Sequence, residues 1–478
     1  MCGYLFEWVN ISISGAEQLL SPHIFKANDI RGIVDETLTE DAVRQIGHAL
    51  GTLAYEAGVA TLVLGRDGRL SGERLLRALS AGVVLAGVDV IDIGMVPTPT
   101  VYFATQYFET GSGVAVTGSH NPPQYNGLKM MLAGATLNSG EITDLRERIL
   151  SGRLHTAAVA GDIRAENILP AYIDAIAHDV QLARPMTVAI DCGNGVGGVA
   201  AVEVFRRLGC TVVDLFCDVD GNFPNHHPDP ADEKNLVDLQ KALRDTDAEI
   251  GLAFDGDADR LGVVTKTGNI IYPDRQIMLF VEDVLADQPG APIVFDVKCS
   301  AHLAILIERH GGVPVMWKTG HSFMKVKIKE TGAPFGGEMS GHLFFNDRWG
   351  GFDDGLYSGA RLLEVLSKLA DVHAITDKLN QLPQAVSTPE LHIPVAEGEN
   401  RQLIEQFERR ANFNGATINT IDGVRADYAD GFGLARASNT TPVIVLRFEA
   451  DDEVALMRIQ NDFRGVFLAI KPDAKLPF

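Results

Sequence analysis

The residues with the greatest chemical potential are a serine and a histidine within the stretch 117–123, here named the serine loop. Ser119 and His120 follow a valine-rich run at 114–116, which favours a strand that the two prolines of the loop cannot continue. We therefore expect Ser119 to be exposed on a stiff loop. Adjacent side chains usually diverge, so the two residues are not predicted to form a Ser–His dyad, and His120 is predicted to contact a substrate or to transfer a proton.

Three aspartates alternate with small residues at 255–260, a stretch named the metal loop: Asp255, Asp257 and Asp259. Carboxylates at i, i+2 and i+4 converge on one cation when the backbone is turned or extended, and three hard oxygens suit Mg²⁺. An apolar run directly before them predicts a strand, and Arg260 after them suits a cation aimed at phosphate. With an exposed serine, whose phosphate oxygen would be a fourth ligand, this cage indicates phosphoryl transfer through a phosphoserine.

Two further clusters place polar groups on turns. Residues 336–342, named the glycine loop, allow close backbone approach and offer a glutamate, a serine and a histidine for hydrogen bonds to vicinal hydroxyls. Residues 436–442, named the phosphate loop, combine an arginine with hydroxyls and backbone N–H groups, which is typical of an anion site for phosphate. Taken alone, each cluster also fits an ordinary turn, and the second is predicted to be a loop before a strand.

The composition limits the class of protein. The 478 residues carry a formal net charge of −22, which argues against nucleic acid or an anionic membrane surface as the main partner. The apolar runs are too short and interrupted to span a bilayer, and no secretory signal is evident, so we expect a cytoplasmic protein. The five cysteines, odd in number and without a CxxC pair, fit reduced thiols better than disulfides or a zinc site: Cys2, Cys192, Cys210, Cys217 and Cys299.

A repeated pattern indicates how these clusters are positioned. Apolar strand, polar loop, amphipathic helix, glycine and apolar strand follow one another three times, beginning at Leu62, Val188 and Ile293. Apolar residues at i, i+3 and i+4 predict helices over 73–86 and 198–208. Three βαβ units predict an α/β protein with three similar α/β domains whose sheets are mixed and largely parallel.

The last segment has a different pattern, which predicts a smaller C-terminal α+β domain. Its predicted strands are 388–395, 416–420, 423–427 and 443–448, its helices are 400–410 and 454–468, and its linker is 383–387. The predicted domains are therefore 1–165 with the serine loop, 166–270 with the metal loop, 271–382 with the glycine loop and 383–478 with the phosphate loop, arranged around a central cleft.

The order of these motifs resembles the α-D-phosphohexomutase superfamily, and within it the bacterial phosphomannomutase/phosphoglucomutase group. The resemblance spans residues 24–478 and includes Asp29-Ile30-Arg31-Gly32, the four loops, and Asn126-Gly127-Leu128-Lys129 after the serine loop. The Glu-Met-Ser-Gly-His form of the glycine loop resembles the dual-specificity enzymes more than strict phosphoglucomutases. Asn28 stands where relatives often have tyrosine, so an aromatic contact is missing, and residues 1–22 have no recognised counterpart.

The resemblance implies a role for each matching residue. Ser119 becomes the phosphoserine and binds Mg²⁺ together with Asp255, Asp257 and Asp259, while Arg31, His120, Lys129 and Arg260 serve the transfer step. The residues implied to bind the sugar or its unreacting phosphate are Lys298, His321, Glu338, Ser340, His342, Arg436, Ser438, Asn439 and Thr440.

The implied reaction interconverts hexose 1-phosphate and hexose 6-phosphate, for glucose and mannose, through a hexose 1,6-bisphosphate. Glucose 1,6-bisphosphate is the implied activator, small sugar phosphates are the expected ligands, and a monomer is expected. His120, Lys129 and His342 are all candidates for the base. The alternatives are a phosphoglucosamine mutase, a phosphoserine hydrolase of the alkaline phosphatase type and a non-catalytic sugar-phosphate binder. The hydrolase is disfavoured because its two-metal site usually has histidine ligands, and the metal loop has no histidine.

Overall fold

The structure is a computed structural model that describes residues 20–396, 398–439 and 441–478. The chain divides into two compact units, Met1–Ile168 and Leu169–Phe478. Among the described residues, no helix combines the length and the apolar character that a membrane crossing requires.

From residue 20 onward, the described part of the first unit contains one mixed sheet of seven strands with four α-helices. The strands are β1 (Ile30–Ile33), β2 (Thr61–Arg66), β3 (Asp89–Met95), β4 (Gly113–Val116), β5 (Tyr125–Leu132), β6 (Ala135–Thr136) and β7 (Ile163–Ala165). The helices are α1 (Glu40–Glu56), α2 (Gly72–Leu85), α3 (Thr98–Tyr107) and α4 (Ser139–Ser151), preceded by a 3-10 turn at Pro22–Ile24. The sheet order is β1-β5-β4-β2-β3-β7, with β6 paired to β5.

The core of the first unit explains this arrangement. Val43, Ile46 and Leu50 recur at helical spacing on α1 and are fully buried, and Leu79 and Val83 do the same on α2. Both helices join the cluster that covers the sheet. The connection from β2 through α2 returns to a parallel β3, so the first predicted βαβ unit is present. The helix predicted over 73–86 in fact begins and ends one residue earlier, at Gly72 and Leu85.

The second unit begins with another mixed sheet. Its strands are β8 (Thr187–Asp191), β9 (Thr211–Leu215), β10 (Ile250–Phe254), β11 (Leu261–Thr265) and β12 (Ile270–Ile271), in the order β12-β11-β10-β8-β9. Its helices are α5 (Leu169–Asp179), α6 (Ala201–Arg207) and α7 (Val237–Asp245), with 3-10 turns at Val196–Val199 and Glu233–Leu236. The helix predicted over 198–208 is thus a short 3-10 turn followed by α6. Strands β8, β9 and β10 are parallel, while β11 pairs antiparallel with β10.

A third mixed sheet follows along the chain. Its strands are β13 (Pro292–Asp296), β14 (Val313–Trp317), β15 (Phe335–Gly337) and β16 (Leu343–Phe345), in the order β14-β13-β15-β16. The helices are α8 (Pro273–Asp287), α9 (Ala301–Arg309), α10 (His321–Thr331), α11 (Gly355–Ser367) and α12 (Val372–Asn380). Parallel pairing of β13 with β14 completes the third βαβ unit.

The last sheet is antiparallel throughout and has six strands. They are β17 (Val386–Ser387), β18 (Leu391–Pro394), β19 (Thr417–Asn419), β20 (Val424–Tyr428), β21 (Gly431–Ala437) and β22 (Val443–Ala450), with helices α13 (Glu399–Arg410) and α14 (Glu453–Ile470). Strands β17 to β22 follow the order β17-β22-β21-β20-β19, with β18 also on β22. The predicted class, three mixed α/β sheets followed by a smaller α+β domain, is confirmed. The predicted linker is partly wrong, because Val386 and Ser387 pair with β22.

Candidate active site

The serine loop connects β4 to β5, as the valine run and the prolines predict, but the expected exposure of Ser119 is wrong. Ser119 is 1% exposed, and its backbone has φ of +48°, in the left-handed region that non-glycine residues rarely adopt. Its N–H is also hydrogen-bonded, to Thr117 Oγ1 at 2.8 Å. A loop that turns back on itself replaces the expected projecting one.

The cause of this turn is Arg69, which follows β2 and is buried inside the loop. Its guanidinium donates to the carbonyl oxygens of Ser119 (2.7 Å), Asn121 (2.6 Å), Pro122 (2.7 Å) and Tyr125 (3.0 Å). Planar donors in a fixed fork suit such a ring of carbonyl oxygens. Because one cation binds four backbone carbonyl groups, the conformation of the whole loop depends on Arg69.

Asp67 completes the support of the serine loop. Its Oδ2 accepts from Arg69 Nε (3.1 Å), from the Thr117 hydroxyl (2.8 Å) and from the Gly118 N–H (3.2 Å). Gly118 packs directly on the guanidinium, because a Cβ there would lie 2.5 Å from Arg69 Cζ. A buried ion pair therefore holds the backbone on both sides of Ser119.

The expectation that Ser119 and His120 diverge is also wrong. Ser119 Oγ lies 3.2 Å from His120 Nδ1, which is hydrogen-bond distance. The backbone at Ser119 is left-handed, not extended, so the usual divergence of adjacent side chains does not apply here. The pair is therefore able to exchange a proton.

Two more predicted residues lie on the strands beside this loop. Arg31 is on β1, opposite Gly127 of β5, and its Nη1 donates to Asn121 Oδ1 at 2.5 Å. It also forms an ion pair with Asp29. Lys129 is on β5 and buried. Adjacent strands β1, β5 and β4 thus bring Arg31, Lys129 and the serine loop into the same region of the first unit.

The metal loop follows β10 and precedes β11, and its three aspartates are fully buried. One oxygen of each of Asp255, Asp257 and Asp259 lies within 4.8 Å of the others. Asp255 Oδ1 accepts from the backbone N–H groups of Asp259 (3.1 Å) and Arg260 (3.2 Å), so the loop curls around its own first carboxylate. Three convergent hard oxygens are a donor set that fits Mg²⁺.

The metal loop is joined to the glycine loop. Leu261 N–H donates to the Gly341 carbonyl at 3.1 Å, and Arg260 and His342 form an antiparallel bridge. Side chains meet here as well: His342 Nε2 lies 3.3 Å from Asp259 Oδ1, and Arg260 Nε lies 3.3 Å from His342 Nε2. Two motifs about eighty positions apart in sequence therefore form one continuous surface within the second unit.

His342 is the centre of this junction. Its Nδ1 lies 3.0 Å from Glu338 Oε2 and 3.1 Å from Ser340 Oγ. Burial by itself lowers the pKa of His342, but the charge of the Asp259 carboxylate and the hydrogen bonds that the imidazole donates to Asp259 and Glu338 outweigh it and raise the pKa to about 9. Burial raises the pKa of Glu338, yet the hydrogen bond with His342 gives a net lowering. Carboxylates and an imidazolium thus stabilise one another.

Lys298 and His321 come from loops after β13 and β14. Lys298 Nζ lies 3.0 Å from Glu390 Oε2, and burial of the ammonium is outweighed by this carboxylate and by Asp296, so the pKa of Lys298 is raised. His321 begins α10, with its Nδ1 3.7 Å from Asp353 Oδ2. The Glu338 carboxylate also accepts a hydrogen bond from the Gly320 N–H at 2.6 Å, so the N-terminus of α10 and the glycine loop are in contact.

The phosphate loop differs from the prediction at its first residue. Arg436 is not in a turn but on β21, paired with Val445. Its Nε donates to Asp422 Oδ2 at 2.9 Å, and the same oxygen accepts from the Thr319 N–H at 3.0 Å. Asn439 Nδ2 donates to the Thr319 carbonyl at 3.3 Å.

The remaining phosphate-loop residues are only partly described. Ser438 Oγ lies 3.0 Å from Thr441 Oγ1, and Asn400 Nδ2 donates to the Ser438 carbonyl at 3.1 Å. Thr440 lies outside the described residues. The loop is therefore held from α13 on one side and from the segment before α10 on the other.

Several residues that support the loops of the site were not predicted from the sequence. Arg69 and Asp67 belong to the first repeat, where the polar loop after β2 was the available signal. Asp422 and Thr319 connect the phosphate loop to the loop after β14 and carry no local motif. Asp353 forms, with Asp259 and His342, a second group of potential metal ligands. The position of Asp353 in the sequence gives no motif that indicates a metal site.

Four family models match successive parts of the chain. They are described as phosphoglucomutase/phosphomannomutase alpha/beta/alpha domain I (residues 22–155), domain II (170–268), domain III (272–385) and C-terminal domain (390–466). The matches follow the order of the four sheets.

Individual proteins agree with these models. A phosphoglucomutase of Neisseria gonorrhoeae is 56% identical over 93% of this chain and 96% of its own length. A phosphomannomutase/phosphoglucomutase of Pseudomonas aeruginosa strain PAO1 is 52% identical over 96% of this chain and 98% of its own. The crystal structure of a phosphoglucomutase/phosphomannomutase family protein from Burkholderia thailandensis matches with a TM-score of 0.90, at 53% identity, over 96% of this chain and 100% of that one.

Proposed function

The chain belongs to the phosphoglucomutase/phosphomannomutase family, and from this premise we propose that it interconverts the 1-phosphates and 6-phosphates of glucose and mannose. The observation that carries the proposal is the junction of the metal loop with the glycine loop. A buried cluster of carboxylates there adjoins Glu338, Ser340 and His342. Such a surface offers a hard-cation site next to groups that hydrogen-bond sugar hydroxyls.

The proposed transfer uses Ser119. Its phosphoryl group passes to the free hydroxyl of a hexose 1-phosphate, and the hydroxyl loses a proton as the 1,6-bisphosphate forms. After the bisphosphate reorients, Ser119 Oγ attacks the other phosphoryl group and releases the 6-phosphate. Phosphoryl transfer of this kind depends on positioning and charge neutralisation. The buried Arg69–Asp67 support of the serine loop favours such positioning.

Mg²⁺ is proposed to be bound by Asp255, Asp257 and Asp259, with the Ser119 phosphate as the further ligand. When bound, the ion supplies neutralisation of the charge on the transferring phosphoryl group. The reaction requires the Ser119 phosphoryl group to reach these carboxylates. Arg31, Lys129 and Arg260 are the proposed cations of the transfer step. His120 and Lys129 remain the candidates to accept the hydroxyl proton, whereas His342 already carries a proton because its pKa is raised to about 9. The 3.2 Å contact of His120 with Ser119 Oγ supports a proton role for His120.

The unreacting phosphate is proposed to bind Arg436 with Ser438, Asn439 and Thr440. Arg436 supports this role because its buried Nη2 has no hydrogen-bond partner among the described residues, while its Nε is held by Asp422. Buried N–H groups are nearly always paired, so an acceptor from a ligand fits this position. Lys298 and His321 are proposed to contact the sugar phosphate from the neighbouring loops.

The proposal is tested by a coupled mutase assay with Mg²⁺ and a trace of glucose 1,6-bisphosphate as activator. Glucose 1-phosphate and mannose 1-phosphate are compared for the wild type, for Ser119→Ala and for Ser151→Ala, a control at the exposed end of α4. We expect comparable turnover of both sugars, retained in the control and lost by at least about a thousandfold in Ser119→Ala. Release of free phosphate, or turnover of glucosamine 6-phosphate well above both sugars, would contradict it.

Other aspects of the proposed function rest on the same premise. Small sugar phosphates are the proposed ligands, and a monomer in the cytoplasm is the proposed state of the protein. The three boundaries between the four predicted domains, at 165, 270 and 382, and the central cleft stay predictions. Analytical ultracentrifugation with and without glucose 1-phosphate tests the monomer, because a stable dimer would double the mass.

A further inference from the structure

Two of the cysteines lie in contact. Cys192 follows β8 and Cys217 lies just beyond β9, and their Sγ atoms are 3.5 Å apart. A disulfide needs about 2.05 Å between the sulfurs, so shifts of roughly 1.5 Å shared by two loops would join them. The parallel strands β8 and β9 are hydrogen-bonded neighbours, with Asp191 opposite Leu215, so the backbone holds the two segments that carry the thiols side by side.

The two thiols differ in access. Cys192 is fully buried, whereas Cys217 is only half-buried at the end of the edge strand of its sheet. The contact with Cys217, together with burial, raises the pKa of Cys192 above its usual value, which keeps Cys192 a thiol. Cys217 is therefore the sulfur that an oxidant from solvent meets first, and Cys192 is the partner behind it.

The loops that carry the pair are tightly linked to each other. The Asn194 N–H donates to the Phe216 carbonyl at 2.8 Å, and both residues have left-handed backbones, with φ of +60° and +50°. Few residues adopt this conformation without a surrounding structure that holds it. A change at the sulfurs therefore has to be absorbed by two turns that already carry strain.

The same loops support the metal loop. The Val196 N–H donates to the Gly256 carbonyl at 3.0 Å, and a Cβ on Gly195 would lie only 2.9 Å from Gly256 Cα. Gly256 lies between Asp255 and Asp257, so a displacement of residues 192–196 reaches the proposed Mg²⁺ ligands through direct contact.

We propose that Cys192 and Cys217 form a reversible, peroxide-sensitive thiol pair whose disulfide disturbs the metal loop. In the first step a peroxide oxidises Cys217 to a sulfenic acid, with release of one water. In the second step the Cys192 thiol gives up its proton as its sulfur attacks the Cys217 sulfur, the S–O bond breaks, and the departing hydroxyl group takes that proton and leaves as a second water as the disulfide forms. Two thiols lose two protons and two electrons, and hydrogen peroxide accepts them.

The effect on activity rests on the proposed function, but the oxidation itself does not. Joining the sulfurs is expected to lower mutase activity several-fold and to raise the Mg²⁺ concentration that gives half of the maximal rate. A thiol reductant is expected to restore both. The Cys217→Ser variant should be as active as the wild type with free thiols, and its activity should not fall when peroxide is added.

The test treats the full-length folded protein with hydrogen peroxide and maps disulfides by mass spectrometry of unreduced tryptic peptides. A cross-link between peptides 165–206 and 208–234, with a loss of 2 Da, is expected in the wild type. Cys210 shares the second peptide with Cys217, so Cys210→Ser is the matched control and should retain the cross-link. Cys192→Ser, Cys217→Ser and Cys217→Ala should lose it.

The outcomes separate this proposal from the proposed function. If no cross-link forms at a peroxide excess that oxidises free glutathione, or if the cross-link uses Cys210, the thiol pair is refuted whatever the enzyme activity is. If the cross-link forms and both rate and Mg²⁺ requirement stay unchanged, the proposed effect on the metal loop is refuted. An inactive reduced enzyme would contradict the mutase and leave the mass measurement intact.

Discussion

The serine loop and the phosphate loop both serve a phosphoryl group in the proposed reaction, yet they are supported in opposite ways. The serine loop surrounds one buried cation, Arg69, whose guanidinium binds three of the loop's backbone carbonyls and the Tyr125 carbonyl at the start of β5. The phosphate loop is supported from outside, through Asp422 and Thr319 of neighbouring segments. One loop is held as a unit, and the other by a few separate contacts.

This difference matches two different demands of the chemistry. A transferring phosphoryl group must be positioned within a fraction of an ångström, which favours a loop without alternative conformations. A phosphate that is only bound must be accepted from either end of the sugar, which favours a loop held by a few separable hydrogen bonds. Predictions that alter each support in turn can therefore break or sharpen the comparison.

The largest effect is expected for Arg69→Met. Removing the guanidinium leaves Asp67 and four carbonyl oxygens without their donor in a buried site, so the free energy of unfolding should fall by roughly 3–5 kcal/mol. Mutase kcat should fall at least about a hundredfold, because Ser119 loses its defined backbone. Thermal unfolding and the coupled assay measure the two. Arg77→Met, which removes an exposed pair with Glu73, is the control and should change stability by less than about 0.5 kcal/mol. A kcat within twofold of the wild type in Arg69→Met would show that the serine loop keeps its conformation without the guanidinium.

A smaller effect is expected for Gly118→Ala. The new methyl group would lie 2.5 Å from the Arg69 guanidinium, which cannot yield because its donors are all in use. We expect a loss of about 1–3 kcal/mol in stability and a lower kcat with KM unchanged. Gly465→Ala on α14 is the control, since a methyl group there meets open space and should stabilise the helix slightly. Unchanged kcat in Gly118→Ala would mean that the guanidinium is free to move.

The phosphate loop should respond differently to Asp422→Asn. Weaker support of Arg436 should raise KM for glucose 1-phosphate about tenfold, equivalent to roughly 1.4 kcal/mol, with little change in kcat. Steady-state kinetics separates the two constants. Asp430→Asn, which weakens a surface pair with Arg458, is the matched control. A kcat that falls as far as KM rises would place this loop in the same class as the serine loop.

The smallest effect concerns a support beside the metal loop and depends on pH. His226 places Nε2 3.0 Å from the Asp191 carboxylate and Nδ1 3.0 Å from the His227 carbonyl, so both nitrogens face acceptors. Burial lowers the pKa of His226, but the Asp191 hydrogen bond and charge outweigh it, and the net pKa is raised above 6.5.

A raised folded-state pKa means that the stabilisation is complete below the unfolded value of 6.5 and is lost as pH rises through the folded value. His226→Gln should therefore lower stability by roughly 1 kcal/mol near pH 5.5 and by less near pH 8.5. Thermal unfolding of the variant and the wild type across this range measures the difference. A penalty that grows with pH would contradict the assignment of a charged imidazole.

Local pattern predicted much of this molecule, because strands, helices and turns leave local signals. The βαβ units at Leu62, Val188 and Ile293 and the loops after β4 and β10 lie where the pattern places them. Strand β21 escaped prediction, since glycines at 431 and 433 lower its strand propensity. Packing requires glycine at position 433, because a Cβ there would lie 2.5 Å from the Phe463 ring.

The site was predictable to the level of motifs and no further. Spacing pointed to Ser119 and to the three aspartates, but the burial of Ser119 depends on Arg69, about fifty positions earlier. Likewise, no local signal indicates that His342 meets Asp259. Long-range pairs of this kind are set by the tertiary fold, so a single sequence carries the residues and not their partners.

The central claim is that Ser119 carries the transferred phosphoryl group, and a transfer experiment tests it most directly. The protein is incubated with glucose 1,6-bisphosphate labelled in its phosphates, freed of ligand, digested and mapped, and a second sample is first chased with unlabelled glucose 1-phosphate. The account predicts label on the peptide that contains Ser119, and its recovery in hexose bisphosphate and hexose 6-phosphate after the chase. Label on another residue, or its appearance as free phosphate without sugar product, would contradict the account.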